Sequence, residues 1–91
     1  MELNIRHDAS VRQFHCTVEG LRCVIDYQLD GDVMSITHTG VPKALEGRGI
    51  AGRLTRHALD TAKNQHWKVR PLCSYAAAYI RRHPEYADLL A

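Results

Sequence analysis

A glycine-rich segment, Glu46-Gly47-Arg48-Gly49-Ile50-Ala51-Gly52, lies between a β-branched run that ends near Thr39 and a helical pattern that begins near Ile50. Glycine has no side chain to keep a ligand away from the backbone. The first turn of a helix offers N–H groups without intrahelical partners and about half a positive charge. The segment therefore predicts a strand, a loop and a helix in that order, with a site for a bulky anion such as a pyrophosphate where the helix begins.

Taken alone, the glycine-rich segment has two interpretations. It is not a Walker A loop, because no Gly-Lys-Ser/Thr follows its glycines. A helix-entry turn without a ligand is the plainer interpretation, since six glycines in 91 residues sometimes cluster without a binding role. Other segments of the sequence are needed to distinguish a simple turn from an anion site.

Further residues in chain order strengthen the interpretation as an anion site. The segment resembles the coenzyme A loop of GNAT-type N-acetyltransferases, written Gln/Arg-x-x-Gly-x-Gly/Ala, with Gly49 and Ala51 in the last two fixed positions and Glu46 departing from the first. Gly40 is a second departure, because a larger and often acidic residue is expected there. Over roughly residues 20 to 90, the chain resembles a very small GNAT-like subfamily marked by this loop and a single cysteine. The other segments that carry the resemblance are His38-Thr39-x-Val41-Pro42, Pro71-Leu72-Cys73-Ser74-Tyr75 and Tyr79-Ile80-x-Arg82-His83-Pro84-Glu85-Tyr86.

The resemblance implies binding of acetyl-CoA and transfer of its acetyl group to an unidentified aliphatic or macromolecular amine. A non-catalytic module that binds or senses acyl-CoA is the alternative, and an idle, partner-binding domain is a third. Arg48 and Arg53 beside the loop could pair with the pyrophosphate, and Arg81 or Arg82 with the adenosine phosphate, although solvated surface arginines are the plainer interpretation. The cofactor-binding residues so implied are Thr39, Val41, Gly47, Arg48, Gly49, Ile50, Ala51, Gly52, Arg53, Ser74, Tyr79 and Arg82.

Size and composition narrow the class of protein. A chain of 91 residues can bury about two-thirds of its unfolded surface, enough for one core, so we expect residues 1–91 to form a single domain. The net charge of +2, without a block of like charges, does not indicate nucleic acid binding. There is no apolar signal segment and no apolar stretch of roughly 18 residues, which predicts a cytoplasmic protein that does not enter a membrane.

The order of strand and helix patterns predicts the fold class. Three β-rich runs, residues 13–18, 21–29 and 33–39, are separated by Glu19-Gly20 and Asp30-Gly31 and predict an antiparallel meander, with an edge piece near residues 3–7. A helix is expected over residues 50–65, a strand over 68–74 and a helix over 75–82. The fold class is α+β with a mixed sheet: a minimal GNAT-like fold of a three-stranded antiparallel meander, a helix, a parallel strand and a helix.

Cys73 is the first candidate catalytic residue. The strand before the loop and the strand after the helix should be parallel neighbours. In the resembling fold these strands splay apart, and the pantetheine arm lies between them with the thioester near Cys73. A thiol there could accept the acetyl group and pass it to an amine, and a position before a helix favours the thiolate. The alternative is a small buried side chain, as most free cysteines are.

His38 is the second candidate, as a base. If both turns contain two residues, Cys16 faces Cys23 and Cys23 faces His38, with cross-strand neighbours roughly 5 Å apart. His38 could then reach the strand that carries Cys73, although a hydrogen-bonded strand histidine is the alternative. A metal site in this row is disfavoured, because the outer two residues would be about 10 Å apart. A Cys16–Cys23 disulfide is geometrically conceivable, but three cysteines without a Cys-x-x-Cys pair argue against a disulfide framework.

The acceptor side is expected to be open. Larger GNAT enzymes shape the amine site with helices between their first two strands, and a two-residue turn at Glu19-Gly20 leaves no room for them. We therefore expect the surface of a larger acceptor to supply specificity, with a second copy of the chain, in a homodimer, helping to enclose the site.

Overall fold

The computed structural model describes residues 2–91 and contains, within that range, one five-stranded sheet and two α-helices. The strands lie side by side in chain order; the first four are antiparallel and the fifth is parallel to the fourth. Short 3-10 turns lie before the first helix, at Lys43–Leu45, and after the second, at Pro84–Leu89. The elements are β1 (Arg6–Asp8), β2 (Gln13–Val18), β3 (Leu21–Asp30), β4 (Val33–Gly40), α1 (Ile50–Asn64), β5 (Lys68–Pro71) and α2 (Ser74–Arg82).

The hairpin of β2 and β3 has the predicted register. Val18 pairs with Leu21, so Glu19 and Gly20 form a two-residue turn, and both have the positive φ that such turns require, 52° and 76°. Cys16 consequently lies opposite Cys23, as expected. The predicted turn at Asp30-Gly31 is wrong by one residue, because Asp30 pairs with Val33 and the turn is formed by Gly31 and Asp32.

A β-bulge in β4 changes the site more than that shift of the turn. Tyr27 pairs with Ile36, and Asp26, the residue before Tyr27 in β3, pairs with His38. Thr37 is therefore an extra residue without a partner in β3. Side chains alternate between the two faces along a regular strand. The extra residue therefore places each later residue of β4 on the face opposite to the one that unbroken alternation from Ile36 would give it. Ile36 and Thr39 both face α1, whereas His38 lies on the outer face, and the predicted row of Cys16, Cys23 and His38 is wrong.

The helix that follows the loop forms as its pattern predicts. Ile50, Leu54, Ala58 and Ala62, spaced four residues apart, are all at most 1% exposed and pack against the sheet. The helix ends at Asn64, one residue before the predicted end. Its burial fixes the position of the preceding loop relative to β4.

β4 and β5 separate at the point where the site begins. They pair from Val33 with Lys68 to Ile36 with Pro71, which confirms the parallel arrangement. The predicted strand over 68–74 is too long, because Pro71 ends it: the N–H groups of Leu72 and Cys73 both donate to the Ile36 carbonyl, at 2.9 and 3.1 Å. Beyond Ile36, β4 continues beside β3 while the chain after β5 turns into α2.

Candidate functional site

A cavity of about 370 Å³ opens where α1 begins. The end of β4, the glycine-rich loop and the first turns of α1 and α2 form its walls. The pairing of β4 with β5 ends at Ile36, before the β4 residue Thr39 that lines the cavity. The residues that line it are Thr39, Val41, Leu45, Glu46, Gly47, Gly49, Ile50, Ala51, Gly52 and Tyr75.

Two of the glycines leave the backbone of the loop open to a ligand. Gly47 and Gly49 have φ of +83° and +78°, a left-handed conformation that favours glycine, and a Cβ placed on either would meet no heavy atom within 4 Å. The first bond of α1 runs from the Arg53 N–H to the Gly49 carbonyl at 3.1 Å, and no side chain caps the helix. The preceding N–H groups therefore lack intrahelical acceptors and suit an anion such as a diphosphate.

The third glycine of the loop has a different role. A Cβ on Gly52 would lie 3.3 Å from the Tyr75 hydroxyl and 3.7 Å from the Tyr79 ring, so glycine allows α2 to approach α1. Gly47, Gly49 and Gly52 also have the Gly-x-Gly-x-x-Gly spacing of dinucleotide-binding loops. That motif requires an acidic residue about 20 positions later, and residues 65–75 contain none.

Three cavity residues are absent from the predicted cofactor-binding set: Leu45, Glu46 and Tyr75. Tyr75, at the start of α2, is 41% exposed, and burial of the rest of its ring raises the pKa of its phenol, an effect that Arg82 partly offsets. Leu45 is 1% exposed and contributes a buried side chain to the cavity lining. The signal for Tyr75 was the glycine at position 52 inside a helical pattern, which marks a close approach by another element.

The two arginines beside the loop lie outside the cavity lining. Arg48 forms an ion pair with Glu19 in the β2–β3 turn, where the two side chains are 37% and 62% exposed. Arg53 is exposed on α1 and lines a separate groove of about 360 Å³, which α1 forms with the segment before β1. Their predicted contact with a pyrophosphate stays a prediction.

Three other predicted cofactor residues line a different groove. Ser74, Tyr79 and Arg82 lie along α2 in a groove of about 570 Å³, which Tyr75 shares with the cavity at the loop. Tyr79 stacks on His83 with ring centroids 3.9 Å apart, and burial raises the pKa of its phenol. Apart from Arg48 and Arg53, the predicted cofactor residues therefore divide between two adjoining surfaces.

Cys73 lies at the edge of the cavity. It is the N-cap of α2, where its partly buried Sγ accepts the N–H of Ala76 at 3.3 Å and lies 3.4 Å from Oγ1 of Thr39, a cavity residue. Cys16 and Cys23 are 2% and 0% exposed, and burial, followed by the neighbouring Cys23, raises the pKa of the Cys16 thiol. Cys73 is thus the cysteine that solvent and ligands can reach.

The structure does not bring His38 to Cys73. His38 is exposed on the outer face, on the opposite side of β4 from Thr39 and its Cys73 neighbour. A Cβ on Gly40 would lie 2.9 Å from Nε2 of His38. A larger side chain at position 40 would therefore require the exposed imidazole to move.

The described residues also give two findings on other kinds of site. Within residues 2–91, no three His, Cys, Asp or Glu side chains are grouped so that they could hold a metal ion. In the same range, no helix has the length and apolar character needed to cross a bilayer.

Comparison with known proteins identifies the family. A family model described as GCN5-related N-acetyl-transferase matches residues 13–89, from β2 to the turn after α2. The chain belongs to the GCN5-related N-acetyltransferase family. The matched range contains the glycine-rich segment, the cavity residues and Cys73. The family uses acetyl-CoA, which implies that cofactor here.

The chain is also similar to two curated relatives and, in its fold, to a solved structure. The protein NATD1 of Mus musculus is 34% identical over 85 residues, which are 90% of this chain and 77% of that protein. NATD1 of Danio rerio is 31% identical over 91 residues, 94% of this chain and 83% of that protein. The NMR solution structure of a GCN5-like protein from Staphylococcus aureus superposes with a TM-score of 0.78, covering 98% of this chain and 88% of that one at 24% identity. The GNAT-like mixed α+β fold is confirmed, with β1 as an additional antiparallel strand.

Proposed function

We propose that this chain is an acetyl-CoA-dependent N-acetyltransferase whose cofactor lies in the cavity at the start of α1. The observation that carries the proposal is the pair of left-handed glycines, Gly47 and Gly49, whose missing side chains open the cavity toward unpartnered N–H groups. Membership of the GNAT family supports the reaction class. A module that only binds acyl-CoA uses the same cavity and is the alternative.

The residues of the cavity have distinct tasks in this proposal. The N–H groups of Ile50, Ala51 and Gly52 donate to the diphosphate, and the dipole of α1 favours its charge. The separation of β4 from β5 beyond Ile36 leaves backbone groups of β4 for the amide-containing arm. The bound thioester supplies an activated acetyl group.

Cys73 is the residue that we assign to contact with the acetyl group. In a two-step route, Cys73 Sγ forms a bond to the acetyl carbon as coenzyme A leaves as its thiol. The amine nitrogen then takes the acetyl group, its proton passes to the departing Cys73 sulfur, and the thiol is restored. His38 has no part in this step, because it lies on the opposite side of β4 from Cys73.

The proposed acceptor is an aliphatic or macromolecular amine. The two-residue turn between β2 and β3 leaves the outer side of the sheet uncovered, so a small amine would have little protein around it. A protein or polyamine-like chain can add contacts of its own over that surface. A homodimer would supply further walls.

Binding is tested by calorimetry with coenzyme A on matched glycine variants. Gly49→Ala places a methyl group in the cavity, and we expect affinity to fall by roughly tenfold, or about 1.4 kcal/mol. Gly31→Ala is the control, because Gly31 also has positive φ (+61°) and open space for a Cβ, but lies in the β3–β4 turn. Both variants incur the left-handed penalty of roughly 1 to 2 kcal/mol in stability. Unchanged affinity in a folded Gly49→Ala would contradict the proposed site.

The chemical route is tested by intact-mass measurement after incubation with acetyl-CoA, with Cys73→Ala as the control. We expect one acetyl group on the wild-type protein, located at Cys73 by peptide mapping, and its removal when spermidine or polylysine is added. Acetylated polylysine without any protein adduct, and undiminished by Cys73→Ala, would favour direct transfer. Binding without any acetylated amine would favour the acyl-CoA-binding module.

A further inference from the structure

We propose that the hydroxyl of Thr39 is a positioning group for Cys73, holding its sulfur against the wall of the cavity and increasing its reactivity. The inference rests on the proposed function, in which Cys73 contacts the acetyl group. It changes the role of Thr39, which the sequence assigns to cofactor contact alone.

The first support is the pair of polar contacts at the Cys73 sulfur. Thr39 Oγ1 lies 3.4 Å from Sγ, and the N–H of Ala76 donates to the same atom at 3.3 Å. These partners come from β4 and α2, so the sulfur is fixed between two elements. A thiolate only accepts hydrogen bonds, and the Thr39 O–H and the Ala76 N–H can both donate to it.

The second support is the position of Thr39 on the cavity wall. Thr39 is partly buried and lines the cavity, so its contact with Cys73 joins the thiol to the surface that we assign to the cofactor. Cys73 itself lies at the N-terminus of α2, where the helix also stabilises negative charge. The Thr39 hydroxyl also restricts the orientation of the Cys73 side chain, because the hydrogen bond limits where the sulfur can lie.

The third support is the bulge that turns Thr39 toward Cys73. Thr37 is the extra residue, and beyond it Thr39 pairs with the buried Ile25 while His38 pairs with Asp26 on the outer face. If the same residues followed Ile36 in unbroken alternation, with Thr37 paired and no bulge, His38 would face inward and Thr39 outward. The strand therefore presents a neutral hydroxyl to the thiol and keeps the histidine away from it.

The test measures the alkylation rate of Cys73 by iodoacetamide in the absence of coenzyme A, followed by peptide-resolved mass spectrometry. We expect Thr39→Val, which keeps the branched shape, to slow alkylation by roughly fivefold, the loss expected for one hydrogen bond. Thr39→Ser keeps the hydroxyl and should restore a rate near that of the wild type. Thr37→Val is the matched control, because the Thr37 hydroxyl donates to the Asp26 carbonyl at 3.2 Å and not to Cys73.

Alkylation of Cys16 and Cys23, measured in the same digest, shows whether a variant has unfolded, because both side chains are buried in the folded protein. A Thr39→Val protein that reacts at the wild-type rate, with Cys16 and Cys23 still protected, would overturn the proposal. Equal slowing by Thr37→Val, or no recovery in Thr39→Ser, would overturn it as well. Because no cofactor is present, failure here differs from failure of the proposed function, which the coenzyme A titration detects separately.

Discussion

His7 on β1 is part of an aromatic cluster at the opposite edge of the sheet from β5. Its ring stacks on Phe14 at 4.2 Å with an angle of 11° between the planes, and its Nε2 lies 2.7 Å from the Tyr27 hydroxyl. His57 of α1 meets the Phe14 ring edge-on. Burial lowers the pKa of His7, the neighbouring His57 lowers it further, and Asp8 partly opposes the change. The folded protein therefore favours neutral His7.

This preference predicts that stability falls in mild acid. The unfolded chain takes up a proton at His7 near pH 6.5, whereas the folded chain does so only at lower pH. The free energy of unfolding contributed by neutral His7 is thus fully present above pH 6.5 and decreases as the pH falls toward the lowered pKa. Urea denaturation at about pH 8 and about pH 5 should show a smaller loss in His7→Phe, which retains the stacking on Phe14.

Tyr27→Phe separates burial from hydrogen bonding at His7. It removes the phenol partner while the ring contacts remain, so we expect lower stability at both pH values and most of the pH dependence intact. If His7→Phe loses as much stability in acid as the wild-type protein does, another group carries the dependence.

At the level of the elements, the contact between the glycine-rich loop and the β2–β3 turn has no counterpart in the sequence pattern. Arg48 in the loop pairs with Glu19, 29 positions earlier, which has a left-handed φ of 52° in its tight turn. Exposed ion pairs contribute roughly 0.2 to 1 kcal/mol, so this one holds the loop only modestly. We expect loss of this ion pair to change the affinity of the loop for coenzyme A.

A double-mutant cycle on coenzyme A affinity distinguishes two roles for Arg48. Because its side chain points to Glu19 and lies outside the cavity lining, we expect Arg48→Ala and Glu19→Gln each to weaken binding by roughly two- to fivefold. The double variant should be no weaker than either single variant, since both remove the same contact. Tighter binding in Glu19→Gln, with weaker binding in Arg48→Ala, would instead mean that Arg48 leaves Glu19 for the pyrophosphate.

The elements themselves were predictable where one local pattern governed them. In β2, Phe14 and Cys16 are buried while Thr17 is exposed, which is the alternation that a sheet with one covered face requires. The bulge was not predictable, because Thr37 is β-branched like Ile36 before it, and nothing in the composition of the strand marks an extra residue. The glycine loop was predictable from its spacing, whereas the approach of Tyr75 depends on how α2 packs against α1.

For the molecule as a whole, the helices pack against one face of the sheet and polar side chains populate the other. On that outer face, Gln13 donates to Asp26 at 2.8 Å and accepts from Arg22 at 2.7 Å. Arg70 lies near Ser35 further along the sheet. The residues at the end of the described chain also contact β5, where the Ala91 N–H donates to the Val69 carbonyl at 3.0 Å. The sheet thus has an apolar side that fixes the fold and a polar side that stays accessible.

The bulge also determines where β4 can lose a residue. Deletion of Thr37 would make the ladder with β3 regular, and the residues on either side of it would keep their β3 partners. His38 would stay on the outer face and Thr39 beside the thiol, because the two would still alternate. Deletion of Ser35 would also remove the bulge, but it would move the buried Ile36 to the outer face. A lost codon is therefore expected to be tolerated at the bulge and not two positions before it.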